Sequence, residues 1–441
     1  MNSNRRLRRE FLKDTAAVMA AAAATPYFWS SASAGEESKN DRLNVAAIGT
    51  SIYTDRYRGK GEHPGQGATI GHQAGARGNM VAVADVDLRH ARFFAKEYDG
   101  RCEIYQDYRK VLDRNDIDAV TIGTPEHWHV KIAIDAMRSG KHVYCEKPLT
   151  LTIDEGKKIC QAVEETGMVL QVGTQQRSQS HNAFLKAVVI ARSGRLGEKL
   201  HALSSVGKGD RGGPFENSDP PAELDWDMWL GQAPLVPYCK QRCHFDYRWW
   251  FEYGGGQVTD WGVHHTDIAM WALELDDTGP YEIAGVGDIP EIENGFNTAE
   301  TFDCTMKFAG DKSIQLTSGD NELIISGELG RIRVNRGGLT GKPIEELTEA
   351  DDEWINEKIL ELCHGKRSGN HMMNFFDCIK DGGKPISDVW SHHRSVSVCH
   401  LANLAMRLRR TLKWDPVKED FIGDEQASAM VSRPQREPYS L

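Results

Sequence analysis

Five short apolar runs recur early in the chain, at 43–49, 80–84, 118–123, 141–145 and 168–172, with helix-like stretches between several of them. Apolar runs without polar alternation suit strands buried on both faces. Strands joined by connections long enough for a helix form a parallel sheet, and an open parallel sheet binds its ligands beyond the carboxyl ends of its strands. The residues at those ends therefore carry the functional reading.

The first run ends at Gly49, Thr50 and Ser51, where a phosphate-binding loop is expected. Ser51 stands in place of the second glycine of the usual GxGxxG, and a polar stretch over 52–67, containing Gly59, Gly61, Gly65 and Gly67, intervenes before a helix-like pattern resumes at Ala68. Asp85 closes the next strand and suits the ribose hydroxyls of adenosine. It lies 36 positions after Gly49, against about 20 in the usual fingerprint. The excess is about the length of the polar stretch, so the insertion reads as a loop in an intact dinucleotide fold. An acid at this strand end favours NAD, while Arg89 keeps NADP open. Thr124 and Pro125 then turn the chain over the cofactor, ahead of a helix over 130–139. His127 and His129, two apart, diverge on a regular element and converge only in a loop. The strand at 141–145 delivers Glu146-Lys147-Pro148 to the ligand-binding edge.

A helix over 153–166 and the strand at 168–172 complete a first domain, assigned to 35–172. The remainder, 173–441, contains short alternating runs at 200–206, 301–308, 313–317 and 331–334, which fit a mostly antiparallel sheet. The expected fold is thus an N-terminal Rossmann domain followed by an open-sheet α+β domain. Gln175, Gln176 and Arg177 would hang at the junction, where polar side chains can hold hydroxyl groups. The segment with Trp226, Trp229, Tyr238, Phe245, Tyr247, Trp249, Trp250, Phe251 and Tyr253 is rich in aromatic rings, most expected in the core and some able to stack on a sugar. Arg248, among them, can pair with an aspartate or a substrate carboxylate. The stretch 374–410 reads as two helices, joined by Gly382-Gly383, that return to brace the first domain.

Gly254-Gly255-Gly256 runs into Asp260-Trp261-Gly262-Val263-His264. Asp260 and His264, four apart, would share one helix face. With Lys147 they supply a cation, a carboxylate and an imidazole, a set able to move a hydroxyl proton while hydride leaves the same carbon. Glu146-Lys147-Pro148, the GGxxxDxGxH pattern that ends at His264, and the ordered pieces 124–129 and 136–143 together resemble the glucose-fructose oxidoreductase, inositol dehydrogenase and MocA (Gfo/Idh/MocA) family. The tail, from Lys413 to Pro434, is similar to a secreted bacterial branch of it.

The resemblance implies a nicotinamide oxidoreductase acting on a sugar, cyclitol or glycoside. Lys147, Asp260 and His264 would be catalytic, with Lys147 and His264 sharing the proton and Asp260 orienting and charging the imidazole. Gly49, Thr50, Ser51, Asp85, Thr124, Pro125, His129, Glu146, Lys147 and Pro148 would border NAD, and Trp128, Gln175, Arg177, Arg248 and His265 the substrate. It also implies a homodimer or homotetramer and no resident metal. Two rival readings use the same fold: a metal-dependent lyase or hydratase acting on keto-sugars, with His264, His265, Asp260 and Asp267 as ligands, and a sugar-binding protein without turnover.

Residues 1–34 read as a twin-arginine export signal: Arg8-Arg9-Glu10-Phe11-Leu12-Lys13, an apolar stretch over 16–24, and Ala32-Ser33-Ala34 before Gly35. The expected location is periplasmic or otherwise outside the cytoplasm. Arg5, Arg6, Arg8, Arg9 and Lys13 against Glu10 and Asp14 give this segment a net +3, so its removal takes the formal charge from −11 to −14. Such acidity argues against nucleic acid or an anionic membrane as partner. Nine irregularly spaced cysteines do not form a disulfide framework, and Cys239, Cys243 and His244 make at most half a zinc site. Free nicotinamide nucleotides are scarce outside the cytoplasm, so an exported enzyme of this kind is expected to hold its cofactor tightly and regenerate it in each cycle.

Overall fold

A computed structural model describes residues 42–54, 62–179 and 182–441. The export signal, and Gly59 and Gly61 of the insertion, lie outside the described residues. The strands at the start are β1 (Asn44–Ile48), the insertion pair β2 (Ile52–Thr54) and β3 (Glu62–Pro64), then β4 (Asn79–Ala84), β5 (Glu103–Tyr105), β6 (Ala119–Ile122), β7 (His142–Cys145) and β8 (Leu170–Val172). Six of them form one parallel sheet in the order β5-β4-β1-β6-β7-β8. β1 sits in the middle, so its carboxyl end at Gly49 faces the point where the strand order reverses, the usual crevice for a dinucleotide. The insertion is an antiparallel hairpin between β1 and the helix Gln66–Gly75, and the dinucleotide fold around it is intact.

Glycine makes this crevice possible. Gly49 has φ +75°, and a Cβ there would lie 2.6 Å from the Thr124 side chain. A Cβ on Gly67 would lie 2.0 Å from the Gly49 carbonyl oxygen, and one on Gly123 would lie 2.3 Å from Gly67 Cα. Three backbones thus touch where the helix starts. Gly67→Ala is expected to force them apart at a cost of about 1–3 kcal/mol or more, measured as a lowered thermal midpoint together with loss of NAD binding.

The second sheet holds β9 (His201–Val206), β10 (Glu282–Asp288), β11 (Thr301–Phe308), β12 (Lys312–Ser318), β13 (Glu322–Gly327), β14 (Gly330–Asn335), β15 (Gly338–Thr340), β16 (Leu412–Asp415) and β17 (Asp420–Phe421). Its order is β15-β14-β13-β9-β12-β11-β10-β16-β17, antiparallel except for β9 against β12. Its buried side chains join those of the helices Ala183–Arg192, Gly262–Ala272 and Val389–Leu408 in one core. Both sheets belong to a single unit, Leu43–Leu441.

The two late helices, His371–Asp381 and Val389–Leu408, do return to the first sheet. Met372 and Phe375 pack with Tyr144 and Val45, and His371 Nε2 lies 2.8 Å from the Val172 carbonyl. His392 accepts the Leu149 amide at 3.3 Å, and His400 meets the Thr150 hydroxyl at 3.0 Å. The loop that follows Lys147 is therefore held from the far end of the sequence.

Candidate active site

One cleft of about 580 Å³ runs from Asp85 to His264 along the carboxyl edge of the parallel sheet. Lys147 leaves the end of β7 and enters it. Asp260 ends the short helix Gln257–Asp260, and His264 lies in the first turn of Gly262–Ala272 after a break at Trp261. The two do not share one regular helix, yet both line the cleft with Lys147. Lys147 Nζ donates to Asp260 Oδ1 at 2.5 Å and to the Asp260 carbonyl at 3.0 Å. Arg248 Nε lies 3.3 Å from Asp260 Oδ2. Burial would raise the Asp260 carboxyl, but Lys147 and Arg248 outweigh it and hold it down at about 2.

This corrects the expected role of Asp260, whose partners are Lys147 and Arg248 and not the imidazole. His264 is buried, its Nδ1 has no partner among the described residues, and its Nε2 lies 3.5 Å from Arg336. Burial, then the charges of Lys147 and Arg336, push its pKa well below the ordinary value. His264 is therefore held as a neutral imidazole, with a buried ring nitrogen left open to a substrate hydroxyl.

Arg336, just past β14, was not anticipated. It stacks over Trp261 at 4.8 Å and brings a cation to the cleft. No sequence motif marks it, because a fold contact 72 positions away places it beside His264.

Several anticipated contacts resolve otherwise. Arg177 is fully engaged away from the cleft: Nε and Nη2 donate to Asp267 at 2.7 and 2.8 Å, and Nη1 to the Ile386 carbonyl. His265 points to Asn321, 2.6 Å from its Oδ1. Neither lines the cleft, so both leave the substrate set. With Asp267 on Arg177 and His265 on Asn321, the four ligands of the metal-lyase reading do not converge. Gln175 lines the cleft, but its amide nitrogen donates to Glu146 Oε1 at 2.8 Å, as Gln66 does at 2.9 Å. Glu146 is thereby gripped at the root of the lysine loop, and a Cβ on Gly173 would lie 2.8 Å from its oxygens. Trp128 lines the cleft with its indole N–H on the Trp229 carbonyl at 3.1 Å.

The stretch 124–129 was expected as a turn before a helix beginning at 130, but the helix starts at Glu126 and runs to Arg138. Pro125 at its entry stiffens the start, as proline does beside a first turn. His127 and His129 consequently diverge. His127 Nε2 meets the Trp229 carbonyl at 2.9 Å. His129 bridges two carbonyls, Pro148 and Thr124, each at 2.7 Å. Burial holds its pKa down at about 4 despite those carbonyls, and a neutral ring donates to only one of them at a time. His129 tethers the 124 and 148 loops together and does not itself line the cleft.

At the other end, the Thr50 amide donates to Asp85 Oδ2 at 2.8 Å and the Asp87 amide to Oδ1 at 3.0 Å. Burial would raise Asp85, but nearby His90 and these amides hold it low, so it stays a carboxylate. Thr50 thus serves Asp85 and is absent from the cleft lining, whereas Gly49, Ser51, Thr124 and Pro125 are part of it. Arg89 is spent on Asp87, with Nε donating at 2.9 Å. Asp87, His90 and His244 offer metal-ligand atoms within 4.8 Å of one another. Asp87 also accepts from Arg89, and burial holds His244 down at about 4, so the trio sits in a polar cluster around Asp85 and Asp87. Cys239 and Cys243 are buried free thiols outside it.

A parallel sheet with a glycine crevice, joined to a lysine, an aspartate and a neutral histidine, defines a dinucleotide-dependent class of protein. Residues 43–174 match the model described as oxidoreductase family, NAD-binding Rossmann fold, and 213–441 match oxidoreductase family, C-terminal alpha/beta domain. The chain belongs to the Gfo/Idh/MocA oxidoreductase family.

It is 26% identical over 326 residues to scyllo-inositol 2-dehydrogenase (NAD(+)) of Bacillus subtilis, covering 70% of this chain and 80% of that one. It is 37% identical over 127 residues to uncharacterized oxidoreductase ORF334 of Rhizobium meliloti, covering 29% of this chain and only 37% of that one. A solved WlbA dehydrogenase from Bordetella pertussis, in complex with NADH and UDP-GlcNAcA, shares the fold with TM-score 0.58 and 17% identity, over 85% of this chain and 98% of that one.

Proposed function

We propose that the protein is an NAD-dependent oxidoreductase that moves hydride at a carbinol carbon of a sugar, cyclitol or glycoside. The observation that carries this reading is the contact of Lys147 Nζ with Asp260 in a cleft shared with neutral His264. The residues present fit the cofactor. Thr124 Oγ1 is buried without a hydrogen-bond partner among the described residues, and Gly49, Gly67 and Gly123 let three backbone segments close together at the foot of the crevice. The first turn of Gln66–Gly75 would face the pyrophosphate, since helix N-termini favour anions. Asp85 has a lone pair left for a ribose hydroxyl beyond the two amides and the Thr50 hydroxyl it accepts.

When bound, NAD supplies the hydride acceptor. The chain's own residues handle the proton. Lys147 donates to the substrate oxygen, His264 accepts the hydroxyl proton, and Asp260 keeps Lys147 aimed into the cleft. Trp261 and Arg336 offer a face and a cation to a polyhydroxylated ring.

Asp85 beside Asp87 favours NAD, because a 2′-phosphate would meet two carboxylates and find Arg89 engaged. Asp85→Ala is expected to lower the preference for NAD over NADP by about ten- to a hundredfold, on the basis of roughly 1.5–3 kcal/mol for a hydrogen bond to a charged group, read from Kd values of both nucleotides.

Export through the twin-arginine route and homo-oligomer assembly belong to the same reading, to be checked by fractionation and by sizing. The tight-cofactor part is tested by denaturing purified protein and quantifying released nucleotide and metal. Near-stoichiometric NAD(H) supports it. One divalent metal per chain with no nucleotide, and no binding of added NAD(H) or NADP(H), contradicts it.

A further inference from the structure

Glu126 is 1% exposed, and neither carboxyl oxygen has a hydrogen-bond partner of normal geometry among the described residues. A buried carboxyl left in this state calls for an explanation. It opens the helix Glu126–Arg138 and lies behind the wall of the cleft, packed against Gly254. A Cβ on Gly254 would lie 3.1 and 3.3 Å from the two oxygens, so the first glycine of the 254–256 run makes room for this carboxyl.

The groups that act on Glu126 are Tyr247 and Arg248 from the segment His244–Trp249, and Asp260. Tyr247 interacts with Glu126 on one side and lines the cleft on the other. Burial, opposed by Tyr247 and reinforced by Asp260, pushes the Glu126 carboxyl up to about 7. Burial, then Glu126, holds the Tyr247 phenol well above its ordinary value, so it stays protonated and can only relay.

We propose that Tyr247 and Glu126 form a second proton-transfer pair, which takes the proton from the carbon next to the ketone made by hydride removal. This rests on the oxidoreductase reading above. In the step, the C–H bond beside the carbonyl breaks and its electron pair moves into the enolate, whose oxygen faces Lys147. The proton passes to the Tyr247 oxygen as the Tyr247 hydroxyl proton passes to the Glu126 carboxylate. Nothing is oxidised or reduced. The enolate then takes the proton back on either face or expels a substituent from the next carbon. Lys147 and His264 serve the carbinol proton, so a plain dehydrogenase has no use for this pair. A redox-neutral epimerisation or elimination does.

Two readouts test the pair. Infrared spectra of the protein should contain the carbonyl band of a protonated buried carboxyl that disappears near pH 7 and is missing in Glu126→Gln. Glu155, also raised to about 7, remains in that variant and serves as the internal control. Second, supplying a cyclic polyol ketone in heavy water bypasses the oxidation. Wild-type protein should then exchange the adjacent C–H, with a rate that rises with pH through about 7 as Glu126 becomes a carboxylate.

Tyr247→Phe should lower the exchange by about 10²-fold or more, and Glu126→Gln should lower it and remove the pH limb. Retained nucleotide content and thermal midpoint establish that both variants are folded. No exchange in wild-type protein, equal exchange in both variants, or a wild-type spectrum identical to that of Glu126→Gln overturns the pair. Failure of the oxidoreductase reading would look different, as absence of bound nicotinamide nucleotide together with no single-turnover reduction of added or bound NAD by any carbinol.

Discussion

Lys147→Ala is expected to reduce turnover by about 10²–10⁴-fold, the usual range for a positioned acid–base group, while the protein still carries nicotinamide nucleotide. The lysine is 14% exposed and is fixed at 2.5 Å from Asp260, so its ammonium is a placed donor and not a freely solvated charge. Removing it strips the cleft of the cation that faces the substrate oxygen and leaves Asp260 with Arg248 alone. The loss should fall on kcat more than on KM, because this interaction strengthens as the oxygen changes charge. Lys147→Arg should not restore it, since a planar fork cannot take the place of a compact ammonium. The check is a comparison of kcat and KM for nicotinamide reduction in the three proteins, with bound nucleotide measured on each.

Arg177→Ala is expected to destabilise the protein by about 3–5 kcal/mol, because it leaves a buried carboxylate without its partner. Both members of the Arg177–Asp267 pair are almost wholly buried, at 3% and 1% side-chain exposure, and the pair is bidentate. Ser395 adds a hydrogen bond to Asp267 at 3.2 Å, tying the helix Val389–Leu408 into the same knot. The paired change Arg177→Met with Asp267→Leu should be less damaging than either single change, since hydrophobic side chains of similar volume can replace a buried ion pair. Denaturant unfolding of wild type, Arg177→Ala, the two single changes and the pair measures this. A substrate role for Arg177 would instead predict normal stability and a raised KM.

The contrast between these two residues explains what could be read from the sequence. That Lys147, Asp260 and His264 meet in one cleft was legible from short local motifs, although the helix face expected for Asp260 and His264 is broken at Trp261. Arg177 sat at the right junction, but nothing local reveals that Asp267, 90 positions later, neutralises it. Arg336, Tyr247 and Glu126 escaped for the same reason, since each acquires its meaning from a partner on a distant element.

The parallel strands were legible as uninterrupted apolar runs. Several strands carried no apolar run to mark them, β5 and β10 among them. β10 carries Gly285 and Gly287, weak strand formers, because Cβ atoms there would lie 2.4 Å from Cys304 Sγ and from Met406 Sδ. β5 is three residues long and largely exposed, too short for any pattern. The insertion read correctly as an addition to an intact fold, although Ser51 and the delayed Gly65 and Gly67 concealed the glycine fingerprint.

The most direct test of the central claim is to mix purified protein with NAD+ and a panel of inositols, aldoses and glycosides and follow the nicotinamide absorbance. At least one carbinol compound should reduce the nicotinamide, as a single turnover where the nucleotide stays bound, and Lys147→Ala should abolish that reduction. No reduction by any of them, with turnover of a keto-sugar that requires only a divalent metal, would contradict it.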